Sequence, residues 1–269
     1  MVGSGVWAKK VSQILEQSSL SLRVERFEAR SLIQNIDELN FENTIIWLAT
    51  RPNLQLALTK ELSDCPAMIL LDKPLVSDSM SLTSISELKL QSRSKFNSVQ
   101  VWRNSSLWKK SSTYFRKLHS IQIERKYVDS RQYISPVLDW LPHDFSLLSD
   151  LCIRPSDISI DSLDLETGAK FNLKANLPNG VLLDISISKG DKRNSRWKLA
   201  YESGYLRTVD FDSRTATLSD FRGSINEKWI QPSTEHPIEN VVTGIGKWGD
   251  SDFENQLEYY KWYFEHGGI

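Results

Sequence analysis

Two short runs without polar interruption, Ile45-Ile46-Trp47-Leu48-Ala49 and Ala67-Met68-Ile69-Leu70-Leu71, restrict the folds open to this chain more than any other feature. A strand apolar on both faces must be covered on both faces, the condition of a central strand in a parallel sheet. Between the runs, Pro52 halts the first, and residues 54–62 carry a helical pattern. Strand, helix, strand in this order predicts a doubly wound α/β unit with right-handed crossovers. The second run ends in Asp72-Lys73-Pro74. A lysine there is delivered to the carboxyl end of a parallel strand, where open α/β sheets bind their ligands.

Upstream, Gly3-Ser4-Gly5-Val6-Trp7-Ala8 fits G-x-G-x-x-G/A and leads into residues 9–16, whose Val11, Ile14 and Leu15 suit an amphipathic helix. Glycines in such a turn let the backbone approach a pyrophosphate, and a small third residue lets the helix pack closely and aim its N-terminus at the phosphates. Only Met1 and Val2 precede Gly3, so the first strand is read as truncated. Residues 21–27 alternate as a second strand, and Glu28 follows at the spacing where an acid meets an adenosine ribose. Arg26 and Arg30 flank it, which leaves room for a 2'-phosphate, so NAD and NADP both stay open. Residues 98–104 read as the last strand of this unit and the crossing into the next.

In the second half, residues 121–127 read as a strand, and Ser135-Pro136 opens a helix that runs past Leu148. Asp139 and His143 are four apart and share a helical face, although Pro142 between them cannot donate to the carbonyl of Leu138 and is expected to kink the helix. From residue 161 the apolar period becomes two: Phe171, Leu173 and Ala175, then Leu183, Ile185 and Ile187, then Trp197, Leu199 and Tyr201. Pro178-Asn179-Gly180 and Ser203-Gly204 supply turns, which predicts a mainly antiparallel sheet with one face under the preceding helix. Residues 252–264 form an aromatic-rich helix, read as a packing face.

Thirty-three Lys and Arg against 34 Asp and Glu give a net charge of -1, which carries no electrostatic footprint for nucleic acid or an anionic membrane. The longest apolar runs are too short to span a bilayer, and no signal peptide is evident, so the expected setting is the cytoplasm. Cys65 and Cys152 make no metal-ligand spacing and are expected to be buried thiols, with no metal site.

The order of these signals resembles the Gfo/Idh/MocA family of nicotinamide-dependent oxidoreductases. The resemblance rests on the glycine-rich turn at residues 3–8, on Ala49-Thr50-Arg51-Pro52, on Asp72-Lys73-Pro74, and on Asp139-x-x-x-His143 followed by Asp144. Two positions depart from the family pattern: Asp72 stands for Glu, and Gln55 stands where many members have His. The resemblance implies a Rossmann-type domain at residues 1–103 and a substrate-binding and oligomerisation α+β domain with a mainly antiparallel open sheet at residues 104–269. It further implies NAD or NADP held by Gly3, Gly5, Val6, Trp7, Glu28, Thr50, Pro52 and Lys73, and catalysis by Lys73, Asp139 and His143. The expected reaction is hydride transfer at a hydroxyl-bearing carbon of a sugar, sugar nucleotide or cyclic polyol, in a homodimer or homotetramer. A histidine ordinarily titrates near about 6.5 and suits the base, while a lysine can hold the developing alkoxide. The alternatives are a catalytically silent ligand-binding or regulatory relative and an imine reductase of the same family.

Overall fold

Three strands, β1 (Ile45–Leu48), β2 (Met68–Leu71) and β3 (Lys95–Ser98), lie parallel in the order β1-β2-β3 in the computed structural model. It describes residues 1–20, 22–36, 40–92, 94–112, 117–128, 134–166, 169–244 and 250–267. The chain divides into two compact units, residues 1–101 with 236–264, and residues 102–235 with 265–269.

In the first unit, register pairs Ile46 with Ile69 and Phe96 on one sheet face, and Trp47 with Leu70 on the other. The Trp47 and Leu70 face packs with Val11, Ile14 and Leu15 of α1 (Val6–Glu16) and with Ile238 and Val241 of α7 (Pro237–Gly244). On the opposite face, Phe96 meets Phe253 of α8 (Asp250–Glu265) at 6.3 Å between ring centres. Cover on both faces is why β1 and β2 are unbroken apolar runs. Helices α3 (Pro52–Glu61) and α4 (Ser79–Gln91) complete the winding.

The first strand persists as a single residue. Val2 makes parallel bridges to both Phe27 and Leu48, which extends the sheet past β1. The strand expected over residues 21–27 does not form: Ser21 lies outside the described residues, residues 22–26 are irregular, and only Phe27 bridges. Backbone pairing there is confined to Met1–Gly3, and Arg23 and Glu25 pair with one another at the surface instead of meeting a neighbouring strand. Similarly, the last strand begins at Lys95 and ends at Ser98, ahead of the expected residues 98–104. Its partner β2 offers four residues, so the ladder closes where Ser98 meets Leu71.

The second unit is built on an eight-stranded sheet. Its strands are β4 (Leu118–Tyr127), β5 (Ser159–Glu166), β6 (Lys170–Asn176), β7 (Leu182–Lys189), β8 (Asn194–Tyr201), β9 (Leu206–Asp210), β10 (Thr215–Ser219) and β11 (Ile225–Ile230). Their order is β11-β10-β9-β8-β4-β7-β6-β5, antiparallel except for the β4–β7 pair. Helix α6 (Pro136–Asp150) packs on β4 and β6, over the face that buries Ile121, Ile123, Leu173, Ile185 and Trp197. Ser135 accepts a hydrogen bond from the Leu138 amide at 3.4 Å, and Pro136 opens the helix, as their residue types predict. The helix runs unbroken through Pro142.

Two expectations are corrected here. The domain division is not contiguous at residue 103, because residues 236–264 return to the first unit through the apolar faces of α7 and α8. Neither cysteine is buried: Cys65 is half-buried in the turn after α3, and Cys152 is exposed in the turn after α6. Among the described residues, no helix is long and apolar enough to cross a membrane.

Candidate functional site in each unit

In the first unit the expected cofactor residues gather at the carboxyl end of the parallel strands. Gly3, at φ +140°, follows the Val2 bridge and leads into α1. A Cβ at residue 3 would lie 2.5 Å from the carbonyl oxygen of Ala49 and 3.2 Å from the Ala8 Cβ. This turn therefore requires glycine, and Ala8, fully buried, is the small residue that lets α1 sit against β1. Gly5 differs, because a Cβ there would meet nothing within 4 Å. It is the residue before α1, and Val6, the first of the helix, is 86% exposed. The helix start thus presents backbone amides beside open space, with no acidic residue in its first turn.

Trp7 makes a contact that its place in the turn does not predict. Its indole Nε1 donates to the Asp72 carboxylate, while the other carboxylate oxygen accepts from the Lys73 amide at 2.8 Å. Asp72 is buried, and burial pushes its carboxyl pKa up, offset in part by the charge of Lys73 and the indole N–H. Trp7 thereby ties the glycine-rich turn to the end of β2.

Gln55, one of the two departures from the family pattern, is also explained. It is fully buried, and its amide nitrogen donates to the carbonyls of Thr50 at 3.2 Å, Asp72 at 3.0 Å and Pro74 at 3.4 Å. One side chain clamps the ends of β1 and β2 together. The Lys73–Pro74 peptide is cis, and the Leu75 amide beyond it donates to the Tyr260 hydroxyl at 3.1 Å, so α8 also supports this turn. Lys73 itself is half-buried at the mouth of the turn.

The remaining first-unit residues divide. Glu28 is exposed and directly follows Phe27, the outer bridge of the sheet. Thr50 is half-buried, and its Oγ1 is shielded without a hydrogen-bond partner among the described residues. Pro52 is buried as the first residue of α3, where its fixed φ starts the helix.

In the second unit, Asp139 and His143 lie on α6, Asp139 in the first turn and half-buried, His143 buried. The His143 ring stacks on Trp102 at 4.5 Å and 15°, and Trp102 stacks on Phe211 at 4.6 Å and 8°. The Arg125 guanidinium lies 4.2 Å from the Trp102 ring centre. Arg125 is in turn paired with Asp144, through Nε at 3.1 and 3.2 Å and through Nη2, and the Trp197 indole N–H donates to the same carboxylate at 2.8 Å. Both members of this ion pair are fully buried. The pair holds α6 against β4 and β8 one residue from His143.

Of these residues only Asp144 belongs to a sequence motif; Trp102 and Phe211 carry none. Arg125 had a signal: it sits at a core position of an alternating strand, where a charge needs a buried partner.

No protein-family model matches the chain, and no curated protein matches it in sequence. Solved structures do match its fold. A UDP-N-acetylglucosamine 3-dehydrogenase from Acidithiobacillus ferrooxidans aligns over 95% of this chain and 92% of its own, at 14% identity and a TM-score of 0.73. A Gfo/Idh/MocA family oxidoreductase from Vibrio cholerae aligns over 96% and 93%, at 12% identity and 0.71. A 3-ketoreductase from Actinomadura kijaniata, solved with TDP-benzene and NADP, aligns over 96% and 92%, at 9% identity and 0.73. The chain has the fold of the Gfo/Idh/MocA oxidoreductases.

Proposed function

We propose that this protein is an NAD(P)-dependent oxidoreductase acting at a hydroxyl-bearing carbon of a sugar, sugar nucleotide or cyclic polyol. The observation that carries the reading is the first-unit cradle: Gly3 where a Cβ would strike Ala49, and Gly5 where a Cβ would enter open space at the start of α1. These residues fit a dinucleotide, with the α1 amides for the pyrophosphate, Glu28 for the adenosine ribose, and Thr50 and Lys73 toward the nicotinamide. The names of similar structures, a sugar-nucleotide dehydrogenase and a ketoreductase solved with NADP, support the same chemistry. A homodimer or homotetramer belongs to this reading as well.

The nicotinamide supplies the hydride acceptor or donor. In the oxidative direction the substrate carbon loses a hydride and its hydroxyl loses a proton. His143 takes that proton, and Lys73 donates a hydrogen bond to the oxygen, stabilising charge as it develops. Asp139, one helical turn before His143, orients these groups. In the reductive direction the same residues return the proton.

The test is turnover against a panel of sugars and sugar nucleotides. Lys73→Ala and His143→Ala are each expected to lower turnover by about 10²–10⁴-fold while cofactor binding stays largely intact. Near wild-type turnover in either variant would remove that residue from the mechanism.

A further inference from the structure

We infer that the loop joining β7 to β8, which crosses the end of β4 between them, forms a binding site for the phosphate-bearing end of the substrate, which selects a sugar nucleotide from the classes proposed above. The inference rests on that functional reading for its meaning, but its geometry stands alone. A pocket of about 480 Å³ is lined by Lys126 at the end of β4 and by Lys189, Gly190, Asp191, Lys192, Arg193 and Asn194 of the β7–β8 loop. Four cations and one carboxylate face one cavity in a chain whose net charge is only -1.

These cations are of two kinds. Lys126 is held by Glu124 at 3.0 Å, and Arg193 by Asp212 at 2.8 Å, so both are oriented before any ligand arrives. Lys189 and Lys192 have no carboxylate partner among the described residues, and both are exposed. Fixed walls with two uncommitted ammonium groups suit an anion with several oxygens, and a diphosphate offers more of them than a carboxylate does. The loop backbone packs closely on the end of β4. Gly190 donates its amide to the Tyr127 carbonyl at 2.9 Å and lies so close to Lys126 that a Cβ would sit 3.1 Å from the lysine Cδ.

The pocket is joined to the helix that carries the proposed base. The Arg193 guanidinium lies 4.7 Å from the ring centre of Trp140, the residue after Asp139, and Trp140 lies 6.3 Å from the His143 ring. Strand β4 ends at Tyr127 beside this loop, and the Arg193–Trp140 contact puts the pocket beside the first turns of α6. An anion held at Lys189 and Lys192 would anchor a substrate whose sugar reaches toward Asp139 and His143.

The experiment is calorimetric titration of the full-length protein with UDP and with inorganic pyrophosphate, repeated on the double variant Lys189→Glu/Lys192→Glu. Both probes are expected to bind the wild type, and both to lose at least about tenfold in affinity in the variant. Binding of pyrophosphate alone would still support an anion site and would assign it to the phosphates without the nucleoside. No binding of either probe at about 10 mM, or equal binding by the variant, would overturn the inference. NADH or NADPH binding by the same variant, expected within about twofold of wild type, verifies that it is folded. Absence of UDP and pyrophosphate binding by the wild type, with Lys73→Ala still lowering turnover, would sink this inference alone. Anion binding without any nicotinamide-dependent turnover would sink the functional reading alone.

Discussion

The indole N–H of Trp7, in the first turn of α1, donates to the carboxylate of Asp72, 65 residues later at the end of β2. The glycine-rich turn and the Lys73 turn are therefore one structural unit, and a change at either is felt at the other. Because burial raises the Asp72 carboxyl, the folded state holds its proton more tightly than the unfolded chain does. The contribution of this group to stability is fully present below the unfolded value and is lost as pH rises through the folded one. Asp72→Asn, which mimics the protonated acid, is expected to unfold at or above the wild-type midpoint at pH 7. That advantage should shrink as pH falls toward the ordinary carboxylate range. Thermal melts of both proteins from the ordinary carboxylate range up to neutral pH check the trend.

The two glycines of the turn are predicted to behave oppositely. Gly3→Ala places a methyl against the Ala49 carbonyl in a backbone conformation that side chains rarely adopt, and should destabilise the protein by about 2–4 kcal/mol. Gly5→Ala keeps an ordinary φ of -70° and meets nothing, so stability should change by less than about 0.5 kcal/mol, while dinucleotide binding weakens by about tenfold. Urea denaturation and cofactor titration on each variant separate the two effects.

Gln55 gives a third prediction. Gln55→Met keeps the volume but removes the donor shared by the Thr50, Asp72 and Pro74 carbonyls, at an expected cost of about 1–3 kcal/mol in urea denaturation. A variant as stable as wild type would show that these carbonyls do not depend on the clamp.

The Arg125–Asp144 pair supplies a fourth. Asp144→Ala leaves a guanidinium buried and facing Trp102 without its counter-ion, and should cost about 3–5 kcal/mol. Replacing both residues together, as Arg125→Met/Asp144→Leu, should cost less than Asp144→Ala alone, because no charge is then stranded. Equilibrium denaturation of the two variants tests the order.

Much of this arrangement was legible in the sequence because it follows from local rules. Residues 45–48 and 68–71 are apolar at every position and became central parallel strands, and Phe171, Leu173 and Ala175 alternate and became one face of an antiparallel strand. Pro136 and Ser135 marked the start of α6 to the residue. What escaped depends on contacts distant in sequence. The alternation of residues 22–26 signalled a strand, yet a ladder needs a neighbour, and only Met1–Gly3 lies alongside. The return of residues 236–264 to the first unit rests on α7 meeting α1 and on Phe253 meeting Phe96, pairings that no local pattern encodes.

Lys73, Asp139 and His143 stand out in the sequence through the family resemblance, but the groups packed around them in each unit do not. The Trp7–Asp72 hydrogen bond joins residues 65 apart, and Gln55, a departure from the family pattern, donates to three carbonyls in the turns after β1 and β2. Arg125 and Asp144 meet through Nε and Nη2 across 19 residues, where only the sheet and α6 together bring them into reach.

Fluorescence titration with NADH and NADPH decides whether the Gly3–Gly5 turn holds a dinucleotide. Saturable binding of at least one of them is expected below about 1 mM, weakened by Gly5→Ala at unchanged fold stability. A folded protein that binds neither cofactor would contradict it.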